Sequence, residues 1–201
     1  MLSNSFIWFR YKMIILFGGL KMIFDQKNKT ITTERLFLRM FQKSDAADVA
    51  KLCNNYNIYK NTLYVPYPYR IEDALLWMKS HLENYETGKS YEFAVTDKES
   101  GELFGAIALS NNQRFNHGEI AYWIGKEYWG RGYATEAAEA TLHFAFSQKK
   151  YHKVFARCFH SNPASGRVLE KLGMREEGIL IDHIRKESRY ENLVHYGIIN
   201  T

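Results

Sequence analysis

The segment Trp129-Gly130-Arg131-Gly132-Tyr133-Ala134-Thr135 carries the densest chemical signal in the chain. It follows a short apolar run, Ile120 to Ile124, and opens an Ala-rich amphipathic stretch, Ala134 to Phe146. A strand, a tight glycine turn and a helix start together make an anion site. Glycines let the backbone approach a phosphate closely, and the first N–H groups and positive dipole end of the helix face it. The turn therefore points to a phosphorylated ligand, although a glycine pair also occurs in turns that bind nothing. No Gly-Lys-Ser/Thr follows, which argues against a nucleotide P-loop, and the third glycine of a dinucleotide fingerprint is missing.

The elements that must position this turn follow from periodicity and punctuation. Ile31 to Phe41 reads as a strand, and Ser44 as the cap of a helix over Asp45 to Asn54. A second helix is predicted from Ile71 to Glu86, with Leu75, Met78, Leu82 and Tyr85 at helical spacing. Between these helices, Pro66 and Pro68 forbid regular structure. Tyr91–Asp97 and Leu103–Ser110 form a hairpin, and Gly118–Ile124 leads into the glycine turn. Lys153–Phe159 is a strand. Asn162 as N-cap, Pro163 in the first turn and Gly173 as C-cap then define a helix over Ala164 to Leu172. Gly178–Ile184 and Arg189–Ile199 close the chain as strands. The order implies an α/β (mixed α+β) fold: a central mixed sheet with hairpins, at least one crossover and flanking helices.

A chain of 201 residues with 46% hydrophobic content is ample for one core and short for two domains. Net charge is +5, compatible with an anionic ligand, an acidic partner or ordinary solubility, and the basic residues form no block of the kind that binds nucleic acid. Cys53 and Cys158 are too few for a disulfide framework and fall at apolar positions, so buried, reduced thiols and a cytoplasmic setting are expected. The 7 histidines show no metal-ligand spacing. Residues 1–28 are read apart from the 29–201 domain. Their longest clean apolar run, Met13 to Leu20, is far below the ~20 residues that span a bilayer, and no signal-peptide pattern is clear. Two readings stand: a misassigned start, with Met13 or Met22 as the true one, or a genuine N-terminal arm or interfacial anchor.

Five blocks occur in an order that resembles the GCN5-related N-acetyltransferases (GNAT), specifically their ribosomal-protein N-terminal acetyltransferase (RimJ/RimL) branch. They are Thr33-Glu-Arg-Leu-Phe-Leu-Arg39, Gly118-Glu-Ile-Ala-Tyr-Trp-Ile124, Tyr128-Trp-Gly-Arg-Gly-Tyr-Ala-Thr-Glu-Ala137, Asn162-Pro-Ala-Ser165 and Glu170-Lys-Leu-Gly-Met174. The resemblance covers roughly residues 31–199. It implies the GNAT-type acyl-CoA N-acyltransferase fold, with a mostly antiparallel sheet, and acetyl-CoA as co-substrate without a metal. The superfamily loop begins with Gln or Arg where this chain has Trp129. Backbone N–H groups are expected to hold the pyrophosphate, so coenzyme A binding survives that departure.

The resemblance also assigns roles. The pyrophosphate is expected over Gly130, Arg131, Gly132, Tyr133, Ala134 and Thr135. Arg131 either adds a charged contact or is a solvated surface arginine. Trp123 and Ile124 end the strand whose free backbone pairs with the pantetheine arm, and the Ile124 N–H is the candidate oxyanion donor. Attack needs a neutral amine, hence a proton acceptor. Glu119 is either that base, desolvated and raised in pKa, or a structural strut satisfied by an arginine. Asn162 contacts the pantetheine or only caps its helix, and Ser165 either partners the departing thiolate or simply starts that helix. Arg167 and Lys171 either reach the 3′-phosphate of coenzyme A or are solvated helix charges. Tyr64, Tyr67 and Tyr69 either wall the acceptor pocket or close the core. The implied acceptor is a primary amine, most plainly the α-amine of a ribosomal-protein N-terminus. A polyamine, aminoglycoside or amino acid derivative is the rival, and a non-catalytic acyl-CoA sensor the reading from another class. No nucleic acid binding or membrane span is expected, and a homodimer is compatible with the pattern.

Overall fold

The computed structural model describes residues 5–9, 12–17 and 20–200, with side chains from Met22 onward. Residues 1–4, 10–11 and 18–19 of the expected N-terminal extension lie outside the described residues. In chain order the strands are β1 (Ser5–Phe9), β2 (Lys12–Phe17), β3 (Leu20–Asp25), β4 (Thr30–Thr32), β5 (Leu36–Arg39), β6 (Ser90–Asp97), β7 (Leu103–Ser110), β8 (His117–Ile124), β9 (Lys153–Phe159), β10 (Arg175–Lys186) and β11 (Arg189–Ile199). The helices are α1 (Ala46–Cys53), α2 (Tyr56–Asn61), α3 (Ile71–Met78), α4 (His81–Thr87), α5 (Tyr133–His143) and α6 (Pro163–Lys171). The strands lie in the order β1-β2-β3-β4-β5-β6-β7-β8-β9-β11-β10. Neighbours run antiparallel except β8 and β9, which are parallel.

Side-chain alternation divides the core into two layers. Phe93 and Val95 of β6 and Ile120 and Ile124 of β8 point to the layer under α5 and α6. Ala94, Ala106 and Trp123 point the other way, to the layer under α1 and α3. In α5, Ala137, Ala138 and Ala140 are buried, and their small side chains bring the helix axis close to the sheet. That close approach sets the α5 N-terminus at the end of β8. Met22 and Phe24 of β3 pack into the same layer as α5, so the core takes in side chains that precede the five sequence blocks.

Several element bounds differ from the sequence reading for local reasons. The expected strand Ile31–Phe41 is two strands, interrupted where the Thr33 N–H turns back to the Leu36 carbonyl (3.0 Å). Ser44 does not cap α1. A 3₁₀ turn, Lys43–Asp45, precedes the helix, and the Asp45 carboxylate takes the Gln42 N–H at 2.7 Å. The expected Ile71–Glu86 helix breaks between α3 and α4 at Lys79-Ser80, where Ser80 begins a new helix. Helix α2 offers no periodicity to read, because Ile58 is the single aliphatic residue among its six; its cap, Asn55, accepts the Asn57 N–H at 2.9 Å.

Candidate active site

β8 and β9 pair only from His117–Glu119 to Lys153–Phe155 and then part. The orientation of the freed backbone follows from the antiparallel alternation along β8. The Gly125 N–H reaches Phe104 O (2.8 Å), the His117 carbonyl accepts from Asn112, and the Glu119 N–H reaches Ser110 Oγ (3.1 Å). Odd-numbered residues of β8 thus direct their backbone groups at β7, and even-numbered ones direct theirs at β9. Beyond Glu119, the groups of Tyr122 and Ile124 face the gap. Trp123, by contrast, directs its backbone to β7 and buries its indole beside Trp77 (6.4 Å between centroids).

The gap opens into a cavity of about 800 Å³. At one end, Gly130 and Gly132 adopt φ of 75° and 83°, a conformation that L side chains rarely take. Gly132 is the N-cap of α5, and no side chain caps the helix. The first closed turn is Glu136 N–H to Gly132 O (3.0 Å), so the N–H groups of Tyr133, Ala134 and Thr135 precede it, in residues that line the cavity. The indole Nε1 of Trp129 donates to the Ile124 carbonyl at 2.6 Å and ties this turn to the end of β8. That bond gives Trp129 a structural task at the departing position and leaves the Ile124 N–H as the group facing the gap. Arg131 does not line the cavity; its guanidinium sits 5.9 Å from the Tyr128 ring centre. Arg167 and Lys171 do line it.

On the α5–α6 side of the gap, Asn162 Oδ1 accepts the Ser165 N–H (3.4 Å) and so aims the first turn of α6. Ser165 Oγ is 2.8 Å from the Tyr122 hydroxyl. Burial pushes the Tyr122 phenol up to about 12, with the Ser165 bond opposing the shift. Cys158 is a free, buried thiol in the same wall, pushed up to about 11 by burial. On the opposite face, the Glu119 carboxylate is gripped by Arg157, with Nε to Oε1 at 2.7 Å and Nη2 to Oε2 at 2.9 Å. The pair holds the arginine firmly cationic. The geometry therefore gives a fixed ion pair where the sequence allowed an isolated, desolvated carboxylate. It also separates Glu119 from Ser165, because alternation puts Glu119 and the Ser165 partner Tyr122 on opposite faces of β8.

Residues 35–175 match the family described as the acetyltransferase (GNAT) domain. The chain belongs to that family. This GNAT chain is 30% identical over 170 residues to the uncharacterised N-acetyltransferase YnaD of Bacillus subtilis, covering 84% of this chain and 96% of that one. It is 26% identical over 174 residues to the [ribosomal protein uS5]-alanine N-acetyltransferase of Escherichia coli, covering 82% and 87%. Among solved structures, a GNAT-family acetyltransferase from Bacillus anthracis is similar at TM-score 0.74 and 29% identity, covering 85% and 98%. RimL, a ribosomal L7/L12 α-N-protein acetyltransferase solved in complex with coenzyme A, shares the fold at TM-score 0.76 and 16% identity, covering 83% and 94%.

In this acetyltransferase the far end of the cavity is walled by α2 and the segment that follows it. Tyr64 lines it while 87% exposed, and Tyr69 lines it while buried, its phenol pushed up by desolvation. Tyr67 does not line it; its ring packs between Tyr56 and Tyr59 at 5.7 Å from each. Lys186, in the last position of β10, donates to the Thr62 carbonyl (2.8 Å) and lies 4.1 Å over Tyr59, bracing this wall. The sequence reading missed Tyr122, Arg157, Trp77 and α2. For Tyr122 a signal existed: a tyrosine at a core-facing strand position needs a polar partner for its hydroxyl. Among the described residues, no group of three His, Cys, Asp or Glu is placed to hold a metal, and no helix is long and apolar enough to cross a membrane.

Proposed function

We propose that this N-acetyltransferase takes its acetyl group from acetyl-CoA and delivers it to the N-terminal α-amine of a protein, ribosomal proteins being the first class to test. One observation carries the reading: a strand edge freed of its sheet partner runs straight into an uncapped helix N-terminus within a single cavity. An extended amide arm ending in a pyrophosphate has matching groups along that path, from the Tyr122 and Ile124 backbone to the N–H groups of Gly132 to Thr135. The coenzyme A in the RimL structure and the uS5 activity of the E. coli relative support the same assignment.

The two faces of the gap divide the labour. The donor reaches the gap from the α5–α6 face and the acceptor from the α1–α3 face, so transfer is direct, in a ternary complex. The Ile124 N–H receives the charge that develops on the carbonyl oxygen. Ser165, backed by Tyr122, donates a hydrogen bond to the sulfur, which departs as a thiolate and takes its proton from solvent. Glu119, held by Arg157, orients the water that removes the proton from the amine. The acceptor end also argues against a polycation. Its carboxylates are Glu119, already paired with Arg157, and Asp73, which accepts the Arg70 N–H at 2.8 Å. Neutral amides and phenols from Asn57, Asn61 and Tyr64 suit a peptide backbone better.

The test is acetyl-CoA turnover, read as free thiol, across N-terminal peptides, polyamines and aminoglycosides. Turnover on a peptide with a defined first residue is the expected result. Preference for a small amine would overturn the protein acceptor and keep the transferase.

A further inference from the structure

We infer that Arg35 is the positioning residue of the phosphate turn, acting through the Arg131 carbonyl and the Glu136 carboxylate. The inference rests on the coenzyme A reading above. Arg35 stands in the break between β4 and β5, far from the turn in sequence, yet all four of its nitrogens converge on it. Nη1 donates to the Arg131 carbonyl at 2.9 Å. Nε and Nη2 meet Glu136 Oε2 at 2.7 and 2.6 Å, and the Arg35 backbone N–H reaches Glu136 Oε1 at 2.9 Å. Thr33 Oγ1 adds a bond to the same Oε1 at 2.6 Å. The guanidinium lies 4.9 Å over the Tyr133 ring, the first residue of α5.

Two physical consequences follow. In a trans peptide the carbonyl and the next N–H point in opposite directions. By holding the Arg131 carbonyl on the outside of the turn, Arg35 aims the Gly132 N–H to the inside, where Gly132 lines the cavity and Arg131 does not. The second consequence is electrostatic. Glu136 sits in the first turn of α5 with its side chain only 9% exposed, where a bare carboxylate would repel a phosphate and compete for the same helix dipole. Arg35 cancels that charge with a forked contact that a lysine cannot reproduce. The phosphate turn is thus aimed and neutralised by a residue that does not line the cavity.

The experiment compares acetyl-CoA with S-acetylpantetheine, which carries the same thioester but no pyrophosphate, as donors for the full chain. The readout is the ratio of their kcat/KM values. In wild type the ratio favours acetyl-CoA; R35Q is expected to cut it at least tenfold, chiefly through the KM for acetyl-CoA. R35K, which keeps the charge and loses the fork, falls between the two. R35Q/E136Q recovers part of the ratio, because the uncompensated carboxylate has gone while the carbonyl tether is still missing. A general lesion in R35Q would lower both donors together and leave the ratio intact, which would overturn the inference, as would equality of R35K with wild type. If wild type itself shows no preference for acetyl-CoA, the pyrophosphate assignment fails and Arg35 loses its role with it. A wild-type preference untouched by R35Q refutes the Arg35 role alone.

Discussion

The Tyr122 and Ser165 hydroxyls stand 2.8 Å apart, bridging β8 and the first turn of α6. The Tyr122 hydroxyl also lies 3.3 Å from the Ser165 carbonyl, so its single proton serves either the carbonyl or Oγ. When it serves the carbonyl, Ser165 can donate to Tyr122; when Ser165 turns its hydroxyl toward a thiolate, Tyr122 can turn its own toward Oγ and strengthen that bond. On the proposed reading, Y122F removes that support and S165A removes the donor to the sulfur. Each should lower kcat by roughly tenfold to a hundredfold, at or below the bottom of the range for general acid effects. The double variant should lose little more than S165A, because the two act in series. Losses that multiply would separate them.

Glu119 is expected to matter less than a direct base would. Its two oxygens are both engaged by Arg157, which leaves neither turned toward the proton of an incoming amine. E119Q should reduce kcat/KM by about tenfold, against the 10²–10⁴ that positioned proton transfer contributes. The variant's pH–rate profile is the check: a loss near 10⁴ together with a vanished acid limb would make Glu119 the base itself.

The glycine turn yields an ordered series. Gly130 has open space where a Cβ would stand, so G130A costs only the left-handed conformation, about 1–2 kcal/mol. At Gly132 the Cβ would lie 3.3 Å from Arg35 Nη2, so G132V adds crowding against the residue that aims the turn. Acetyl-CoA affinity, measured by calorimetry, should fall from wild type to G130A to G132V. The reverse order would detach the turn from phosphate binding.

Stability should decline on acidification partly through His81. The imidazole is buried beside Phe41 and Trp77, and desolvation pushes its pKa down to about 4 from 6.5. Between those values the unfolded chain binds the proton and the folded one does not, so stability rises with pH across that window and falls as acid is added. At about 1.4 kcal/mol per pKa unit the loss reaches roughly 3 kcal/mol by pH 4. Urea unfolding at a series of pH values should show a flatter acid limb for H81F than for wild type. Identical slopes would exclude His81 as a source.

What the sequence displayed was local chemistry, and where that chemistry decides, the structure follows it closely. Asn162, Pro163 and Gly173 bracket α6 to within one residue, and β9 runs from Lys153 to Phe159 as expected. The glycine turn and the strand before it were legible for the same reason. The break at Lys79-Ser80 was hidden because Leu75, Met78, Leu82 and Tyr85 keep helical spacing straight through it, although Ser80 with Glu83 three residues on is a capping pattern. β10 outruns its expected Gly178–Ile184 span because most of its residues are exposed, leaving no alternation to mark its ends. The site's pairings stayed invisible for a different reason. Tyr122 meets Ser165 across 43 residues, Arg157 meets Glu119 across 38, and Arg35 meets Arg131 across 96. No local pattern encodes a partner at that distance; only the sheet order brings each pair together.

The parting of β8 from β9 makes this sheet a structure that something else must finish. A ligand that threads the gap supplies hydrogen bonds the chain has given up, and by mass action each tenfold excess of it over Kd adds about 1.4 kcal/mol to the folded state. If that ligand is the acetyl-CoA proposed above, resistance to unfolding becomes a gauge of donor supply. A protein drawn from acyl-donor-rich cells would outlast the same protein from starved ones, with no change in its sequence.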